Sequence, residues 1–535
     1  MSTVYTTLAA VLLAAPLSGT WRVSLHEQDG VDLDFRMTFE QREGTWEAHS
    51  RPGAAREIVG GSKAALGRLL GKMPAHEALM TVEDGTTDST GALKGVLESP
   101  FLGRRELAGT LSEQRIHAEL RRGPNHVLAG TLDAVPDTSE GPYRDYPALA
   151  GALSTAIRQN LFDPALFERP EWRRFFAELA TRFAVARDDL DVIGTFQALR
   201  PELGTSHLEF IRNPSLASRS LEDVVAGEQS ANPEENVRLT FPAPGIAFLR
   251  VRKWDRGNDP IDRAFEQIAS KSARVLLLDV RANPGGDATS MAPLGHLIGE
   301  PVTVGTFLGA AWYRQHPRPP LPEEMASLPV LDTDAPPLRL MQEVRSGGAV
   351  VGKALPRAPR FAGAVYLLTD GGSASASEPL AHALRTSGRA TLVGERTAGH
   401  MLLALPHGLP DGWVAVVPEA DFIASDGTRL EGRGVEPHVK CASDQVFLEV
   451  ADRLEKDLPY SAAVLRGESY EALRRPDDAL RAYRAALKAA EKQTPQPTPA
   501  ILAATHKRIA ALLTAKGDEE GARRAKEEAG KLAGS

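Results

Sequence analysis

The feature that most constrains the fold is an alternation of apolar runs and amphipathic segments between residues 245 and 395. The runs GIAFLRV, RVLLLDVR, AVYLLTD and ATLVGE have the composition of strands, whereas PIDRAFEQIASKS and SEPLAHALRTSG have helical spacing. Because these strands are apolar throughout, they predict a largely parallel sheet that helices cover on both faces. We therefore expect an α/β domain in this part of the chain.

A different period, of two residues, marks the chain before residue 136. The run VDLDFRMTFE alternates, and its apolar residues share one face of the predicted strand: Val31, Leu33, Phe35, Met37 and Phe39. Similar alternation in RIHAEL and HVLAGTL, separated by turn-forming segments, predicts a small all-β barrel or sandwich over residues 19–135.

Two stretches have helical spacing instead. Apolar residues recur every fourth position at Leu149, Leu153, Ile157 and Leu161, which predicts a helical segment within residues 136–210. Residues 444–535 are rich in Ala, Arg, Lys and Glu, and five of them have the offsets of a tetratricopeptide (TPR) repeat: Gly467, Tyr470, Ala479, Tyr483 and Ala486. Such α-helical repeats offer a groove to a protein partner or merely cap the neighbouring domain, and both readings stay open.

Length, charge and cysteine content limit the functions that this chain can have. Its 535 residues exceed one hydrophobic core, so a multidomain protein is expected. A net charge of -8 gives no attraction to nucleic acid, and the single cysteine, Cys441, excludes an intramolecular disulfide and cysteine-ligated zinc. Because GxxxxGK[ST], a GxGxxG after a strand and HExxH are all absent, no cofactor and no metal are expected.

The amino terminus has features of a secretory signal. An apolar run from Leu8 to Leu17 is followed by small residues, although no Lys or Arg precedes it. Residues 1–18 are therefore expected to direct export to the periplasm or outside the cell, with a cytoplasmic protein as the alternative. No other stretch of the sequence predicts a membrane span.

The serine-rich segment DGGSASASEPL carries the first sign of chemistry. It places serines where a strand gives way to a helix, and the free N–H groups of a helix start can stabilise an oxyanion. Serine is also a favoured helix cap, so this segment alone does not distinguish a catalyst from a cap. Upstream, the adjacent Gly285 and Gly286 would let the backbone approach a substrate carbonyl closely.

Taken together, three motifs resemble those of peptidase family S41, the tail-specific or C-terminal-processing proteases. They are LLLDVRANPGG, the stretch DGGSASASEPLAHALRTSGRATLVGERTAGH, and DGTRLEGRGVEPHV, and the resemblance covers about residues 150–440. It implies a ClpP/crotonase-like peptidase core over residues 211–443 and a peptide or protein substrate. It also implies Ser375 as the nucleophile, with an oxyanion hole formed by the Gly285–Gly286 loop and Ala376.

The resemblance leaves two candidates for the general base. Where the serine–lysine branch of the family has its lysine, this sequence has His400. The segment LRPELGTSHLEF resembles the Ser-His pair of the tricorn branch, which implies His207 as the base, with Ser206 and Glu431 orienting and polarising it. His207 is preferred, and His400 is the alternative base or a residue that lines the substrate pocket.

Two departures from the family limit what the resemblance implies. Only about forty residues separate His207 from GIAFLRV, too few for a PDZ domain, so recognition of a substrate carboxyl terminus is not expected. His438 replaces an acid in the closing motif. The sequence thus predicts a serine endopeptidase that forms an acyl-enzyme, and the alternative is a non-catalytic binder of a peptide or hydrophobic ligand on the same fold.

Overall fold

The computed structural model describes residues 17–42, 45–51, 78–112, 114–220, 222–223, 233–255, 257–332, 335, 337–492 and 496–533. Residues 1–16, and with them most of the expected secretory signal, lie outside this part. The chain forms two compact units, one of residues 1–224 with 404–418 and one of residues 225–403 with 419–535. The strand Trp413–Ala424 contributes residues to both units.

The first unit contains an eight-stranded closed barrel. Its strands are β1 (Gly19–Glu27), β2 (Asp32–Arg42), β3 (Thr45–Ser50), β4 (Thr81–Thr87), β5 (Ala92–Glu98), β6 (Arg105–Ser112), β7 (Arg115–Arg122) and β8 (Val127–Pro136). Every neighbouring pair is antiparallel, and β8 pairs with β1 to close the barrel. Leu33, Phe35, Met37 and Phe39 are buried, as the period-two pattern predicts. Of the two predicted β architectures, the barrel is the one observed.

Helices follow the barrel in the same unit. They are α1 (Tyr146–Asn160), α2 (Pro170–Phe183), α3 (Asp189–Leu199) and the short α4 (Pro214–Ala217). Strand β9 (Glu209–Arg212) pairs antiparallel with Trp413–Val416 at the start of β19 (Trp413–Ala424). Phe210 stacks on Trp413 with a centroid distance of 4.4 Å, and both rings are buried. The helical segment is therefore built around an aromatic core.

Buried carboxylates at the start of α3 connect these helices to the barrel. Asp188 accepts a hydrogen bond from the Arg36 N–H at 3.1 Å, and Asp189 accepts one from the Asp34 N–H at 2.8 Å. Arg144 pairs with Asp189 at 3.0 Å. Since both carboxylates are almost fully buried, each depends on these donors to offset its loss of hydration.

The second unit contains the expected parallel sheet, with strand order β10-β11-β12-β16-β17-β20. Its strands are β10 (Val237–Ala243), β11 (Ile246–Val251), β12 (Val275–Asp279), β16 (Ala364–Thr369), β17 (Thr391–Gly394) and β20 (Val439–Lys440). Neighbours from β11 onward are parallel, and β10 joins the edge antiparallel. Helices α5 (Asp259–Ser270) and α10 (Ser377–Thr386) occupy the segments that helical spacing predicts, and both contribute to the core on one face of the sheet.

A second sheet, which the sequence did not reveal, pairs β14-β15-β13 with the later half of β19. The remaining elements in this region are α6 (Ala292–Leu297), β13 (Val302–Gly309), α7 (Ala310–Gln315), α8 (Pro322–Met325), β14 (Val330–Asp332), α9 (Pro337–Gly347), β15 (Ala349–Ala354) and β18 (Leu402–Gly408). Residues 313–359 are rich in proline and would be expected to form an exposed insertion. Their strand β15 is instead buried, because it lies between β13 and β14.

Five helices complete the second unit: α11 (Val446–Leu454), α12 (Pro459–Ala472), α13 (Pro476–Ala490), α14 (Pro499–Ala515) and α15 (Glu519–Ala533). Val446 and Val450 of α11 share a core with Val275 and Leu368 of the sheet. Gly467 allows α12 to approach α13, since a Cβ there would lie 2.5 Å from the Tyr483 ring. Assignment of these helices to the TPR class stays a prediction. None of the helices in the described residues is long and apolar enough to cross a membrane.

The buried Asp188 predicts a pH-dependent stability. Burial, followed by the charge of Asp191, raises the pKa of Asp188 to about 7. A raised pKa in the folded state favours folding most below the unfolded value of 3.8, and this contribution is lost as pH rises towards 7. The unfolding free energy of wild type relative to Asp188→Asn should therefore fall by about 2–4 kcal/mol between pH 4 and pH 7.

Urea denaturation of the two full-length proteins across this pH range measures the difference. The control is Asp145→Asn, which alters the exposed N-cap of α1, where the carboxylate accepts a hydrogen bond from the Ala148 N–H at 3.0 Å. The carboxylate of Asp145 is exposed, so burial has no part in its difference from wild type, and no comparable fall is expected over the same pH range. A level difference for Asp188→Asn as well would contradict the assignment of the titration to Asp188.

Candidate active site

Ser375 occupies the connection between strand β16 and helix α10. Its backbone has a φ of 53°, in the left-handed region that residues other than glycine seldom adopt. The helix begins two residues later, at Ser377, so the segment presents Ser375 at the N-terminal end of α10. A strained residue in this position is typical of functional sites, where the surrounding structure holds it in place.

Gly285 packs directly against Ser375. A Cβ added to Gly285 would lie 2.5 Å from the Ser375 Cβ and 3.1 Å from its Oγ, and the φ of Gly285 is 107°. The N–H of Gly285 donates to Asn283 Oδ1 at 2.9 Å. Gly285 therefore permits a close approach to Ser375 because it has no side chain, whereas its N–H group already donates to Asn283 within the loop.

Asn283 holds this glycine loop against the serine segment. Its side-chain amide donates to the Val251 carbonyl at 3.0 Å, and its own carbonyl accepts a hydrogen bond from the Ala374 N–H at 3.0 Å. The residue is fully buried. Because both its side chain and its backbone are engaged, the position of Gly285 relative to Ser375 is well determined.

Two backbone N–H groups beside Ser375 are not used by the fold. The Gly286 and Ala376 N–H groups donate to no protein acceptor within the described residues. Gly286 is exposed and Ala376 is half-buried. One belongs to the glycine loop and the other to the residue after Ser375, the two places from which an oxyanion hole for a serine nucleophile is built.

A buried carboxylate, Glu378, organises the loop that contains His400. Glu378 accepts hydrogen bonds from the Thr397 hydroxyl at 2.6 Å, the Gly399 N–H at 2.8 Å and the His400 N–H at 2.7 Å. The His400 carbonyl in turn accepts a hydrogen bond from the Ser375 N–H at 2.9 Å. The structure thus brings the backbones of His400 and Ser375 together, while His400 as a residue is exposed.

The same loop is contacted by Glu431, the acid expected from the closing motif. Glu431 is buried and accepts a hydrogen bond from the Met401 N–H at 2.7 Å. Burial raises the pKa of the neighbouring carboxyl of Glu378, although the three donors act in the opposite direction. Two buried acids therefore receive backbone donors from residues 399–401.

Ser206 and His207 belong to the first unit, in the turn that precedes β9. The Ser206 Oγ lies 2.7 Å from His207 Nδ1, and His207 has a φ of 59°. In the tautomer that carries its proton on Nδ1, the ring donates to Ser206 and keeps a lone pair on Nε2. A general base requires this tautomer, because the unprotonated Nε2 can then accept a proton.

Sequence reasoning singled out neither Glu378 nor Asn283. Glu378 follows Ser375 by three residues, where an acid also suits the first turn of any helix. Asn283 directly precedes the Pro-Gly-Gly run, where asparagine is an ordinary turn residue. Their roles depend on loops that are distant in sequence.

No group of three His, Cys, Asp or Glu side chains within the described residues is placed to hold a metal ion.

Comparison with known proteins identifies the segment that carries this site. Residues 245–441 match the family model described as peptidase family S41. This segment belongs to peptidase family S41. It includes Ser375, the two glycines, Ala376, His400 and Glu431, whereas Ser206 and His207 precede it.

Two curated relatives of this chain are similar to it over part of their length. The carboxyl-terminal-processing peptidase 3 of Arabidopsis thaliana is 34% identical over 98 residues, which cover 18% of this chain and 19% of the relative. The carboxyl-terminal-processing protease of Picosynechococcus sp. is 26% identical over 220 residues, 41% of this chain and 44% of the relative. The matches thus span less than half the length of either relative.

Solved structures show a weaker likeness. The photosystem II D1 C-terminal processing protease aligns with 56% of this chain and 94% of its own, at 16% identity and a TM-score of 0.34. The tricorn protease aligns with 79% of this chain and 46% of its own, at 13% identity and a TM-score of 0.33.

The contacts of Glu378 predict that its hydrogen bonds keep the loop of residues 397–401 ordered. In Glu378→Gln an amide NH₂ would face backbone N–H donors, so at least one of the three hydrogen bonds is lost. Hydrogen bonds to a charged group contribute about 1.5–3 kcal/mol each. Amide hydrogen exchange at Gly399 and His400 should therefore be at least about tenfold faster, as measured by mass spectrometry of the full-length protein.

The matched control is Glu395→Gln. Glu395 accepts a hydrogen bond from the Ser443 N–H at 3.0 Å and does not bond to residues 397–401. Exchange in that loop should stay at the wild-type rate. Unchanged exchange at Gly399 and His400 in Glu378→Gln would contradict the organising role of this carboxylate.

Proposed function

We propose that this protein is a serine endopeptidase in which Ser375 is the nucleophile. The observation that carries the proposal is the arrangement around Ser375. It consists of a strained serine at a helix N-terminus, a glycine against its side chain, and the N–H groups of Gly286 and Ala376, which have no protein acceptor within the described residues. The S41 membership of residues 245–441 supports the same chemistry. A binding protein would have no need for these features together.

In the proposed reaction, Ser375 Oγ attacks the carbonyl carbon of a peptide bond while its proton passes to His207 Nε2. The carbonyl oxygen becomes an oxyanion that the N–H groups of Gly286 and Ala376 stabilise. The C–N bond then breaks, and the imidazolium returns its proton to the leaving amine. Water, deprotonated by His207, hydrolyses the acyl-enzyme and regenerates the serine.

Ser206 and Glu431 are proposed to orient and polarise His207. The Ser206 hydroxyl accepts a hydrogen bond from the Nδ1–H of His207, which the 2.7 Å separation supports, and donates one to the Glu431 carboxylate. The acid would then stabilise the imidazolium without itself being the base.

His400 is the alternative base. Its backbone is fixed by Glu378 and Ser375, yet within the described residues no polar group orients its ring. The ring of His207 is oriented by Ser206, which favours His207 as the base. We assign His400 to the lining of the substrate site.

The substrate is proposed to be an extended peptide or protein segment. The printed names of the relatives describe carboxyl-terminal processing, and that specificity belongs to those proteins. Residues 208–244 leave no room for a PDZ domain, so selection by the substrate carboxylate is not proposed here. The C-terminal helices are proposed as a site for a protein partner, and we propose export of the protein as its route to substrate.

Labelling with a fluorophosphonate, which reacts with activated serines, tests the proposed nucleophile and base. Wild type should label at Ser375, and Ser375→Ala should not label. His207→Ala should label at least about 10²-fold more slowly because the serine loses its base, whereas His400→Ala should label at nearly the wild-type rate. Mass spectrometry of the labelled peptide measures these rates.

Each alternative gives a different result in the same experiment. Slow labelling in His400→Ala with normal labelling in His207→Ala would make His400 the base. Folded wild type that does not label would instead support the non-catalytic binder and contradict the proposal.

The contact between Gly285 and Ser375 generates a second prediction. In Gly285→Ala the new Cβ would overlap the Ser375 Cβ, so one of the two loops must move. A displacement of about 1 Å can cost about 10²-fold in rate, and we expect a loss of that size in labelling. The control is Gly371→Ala on the same serine segment, where an added Cβ meets no atom within 4 Å. Equal labelling of both variants would contradict the importance of the close approach.

A further inference from the structure

Trp254 lies beside the candidate oxyanion hole, three residues after strand β11. Its indole is buried, with 2% of the residue exposed. An aromatic residue at the end of an apolar strand is an ordinary part of a hydrophobic core. Its polar atoms, however, are all engaged by the two segments that supply the proposed oxyanion donors.

The backbone of Trp254 holds the residues on both sides of Gly286. Its N–H donates to the Gly285 carbonyl at 3.0 Å, and its carbonyl accepts a hydrogen bond from the Asp287 N–H at 3.1 Å. This pairing omits the N–H of Gly286, which donates to no acceptor among the residues that the structure describes. A Cβ on Gly286 would lie 1.9 Å from the Trp254 carbonyl oxygen, so the approach also requires a glycine there.

The side chain of Trp254 reaches the other segment. The indole Nε1 donates to Ser377 Oγ at 2.7 Å, and Ser377 is fully buried. Ser377 is the first residue of α10 and directly follows Ala376. A single residue is therefore bonded through its backbone to the neighbours of Gly286 and through its ring to the neighbour of Ala376.

We infer that Trp254 is a positioning residue that sets the separation between the Gly286 and Ala376 N–H groups. The inference rests on the proposed function, because it gives these two groups a common target. An oxyanion is stabilised only when donors lie at about 2.7–3.1 Å from the oxygen, so both must be held at fixed positions. The two segments are about ninety residues apart in the chain, and Trp254 bonds to both.

Trp254→Phe tests this role because it retains a buried ring and the backbone bonds and removes the indole N–H. With the fluorophosphonate probe, we expect the maximal labelling rate at Ser375 to fall about tenfold or more. The probe concentration for half-maximal rate should change less than about twofold, because ground-state binding does not use the oxyanion donors. A general loss of packing would alter both quantities and the melting temperature.

The matched control is Trp172→Phe in the first unit. Trp172 is equally buried, and its indole nitrogen has no hydrogen-bond partner within the described residues. Its labelling kinetics should equal those of wild type. Ser377→Ala removes the same hydrogen bond from the other side and keeps the tryptophan, so it provides the test if Trp254→Phe folds poorly.

A double-variant cycle completes the experiment. If the indole–hydroxyl bond is the cause, Trp254→Phe combined with Ser377→Ala should label no more slowly than the slower single variant. Fully additive losses, or wild-type rates in either folded single variant, would overturn the inference and leave the proposed function intact. Wild type that does not label at Ser375 would overturn the proposed function, and this inference with it.

Discussion

The candidate site depends on one close approach, that of the Gly285 backbone to the side chain of Ser375. The 2.5 Å between a hypothetical Cβ and the Ser375 Cβ leaves no space for any residue but glycine, and the left-handed backbone of Ser375 directs the segment into this contact. The other residues of the site hold these two segments in place. Asn283 holds the glycine loop, and Trp254 connects that loop to the start of α10.

Buried polar groups maintain the geometry of the site. Glu378 gives up its hydration and receives three donors from residues 397–400, which fixes the loop whose carbonyl accepts the Ser375 N–H. Burial still raises its pKa, so the donors do not fully offset the cost of the charge. Asp188 and Asp189 act in the same way at the contact between barrel and helices. In both places a buried acid orders backbone segments that are far apart in sequence.

The sequence predicted those parts of the fold in which the spacing of apolar residues matches the faces that the structure buries. The continuous apolar runs of β11, β12, β16 and β17 indicated a parallel sheet, and alternation from Leu33 to Phe39 indicated a half-buried antiparallel strand. The second sheet was missed, because β15 lies within a proline-rich stretch and β14 is only three residues long. Strand β15 pairs with β13, and β14 pairs in turn with β15. Such pairing leaves little trace in the local sequence.

The reactive groups of the chain and their order can be read from its sequence: the serine at a predicted helix start, the paired glycines before it, and two histidines as candidates for the base. The folded structure alone shows that the Gly285 amide donates to Asn283, whereas the amides of Gly286 and Ala376 have no protein acceptor in the part of the chain that is described. It also gave Trp254 and Glu378 their partners. The physical reason is that hydrogen-bond satisfaction depends on segments brought together in space, whereas residue type and spacing are local properties of the chain.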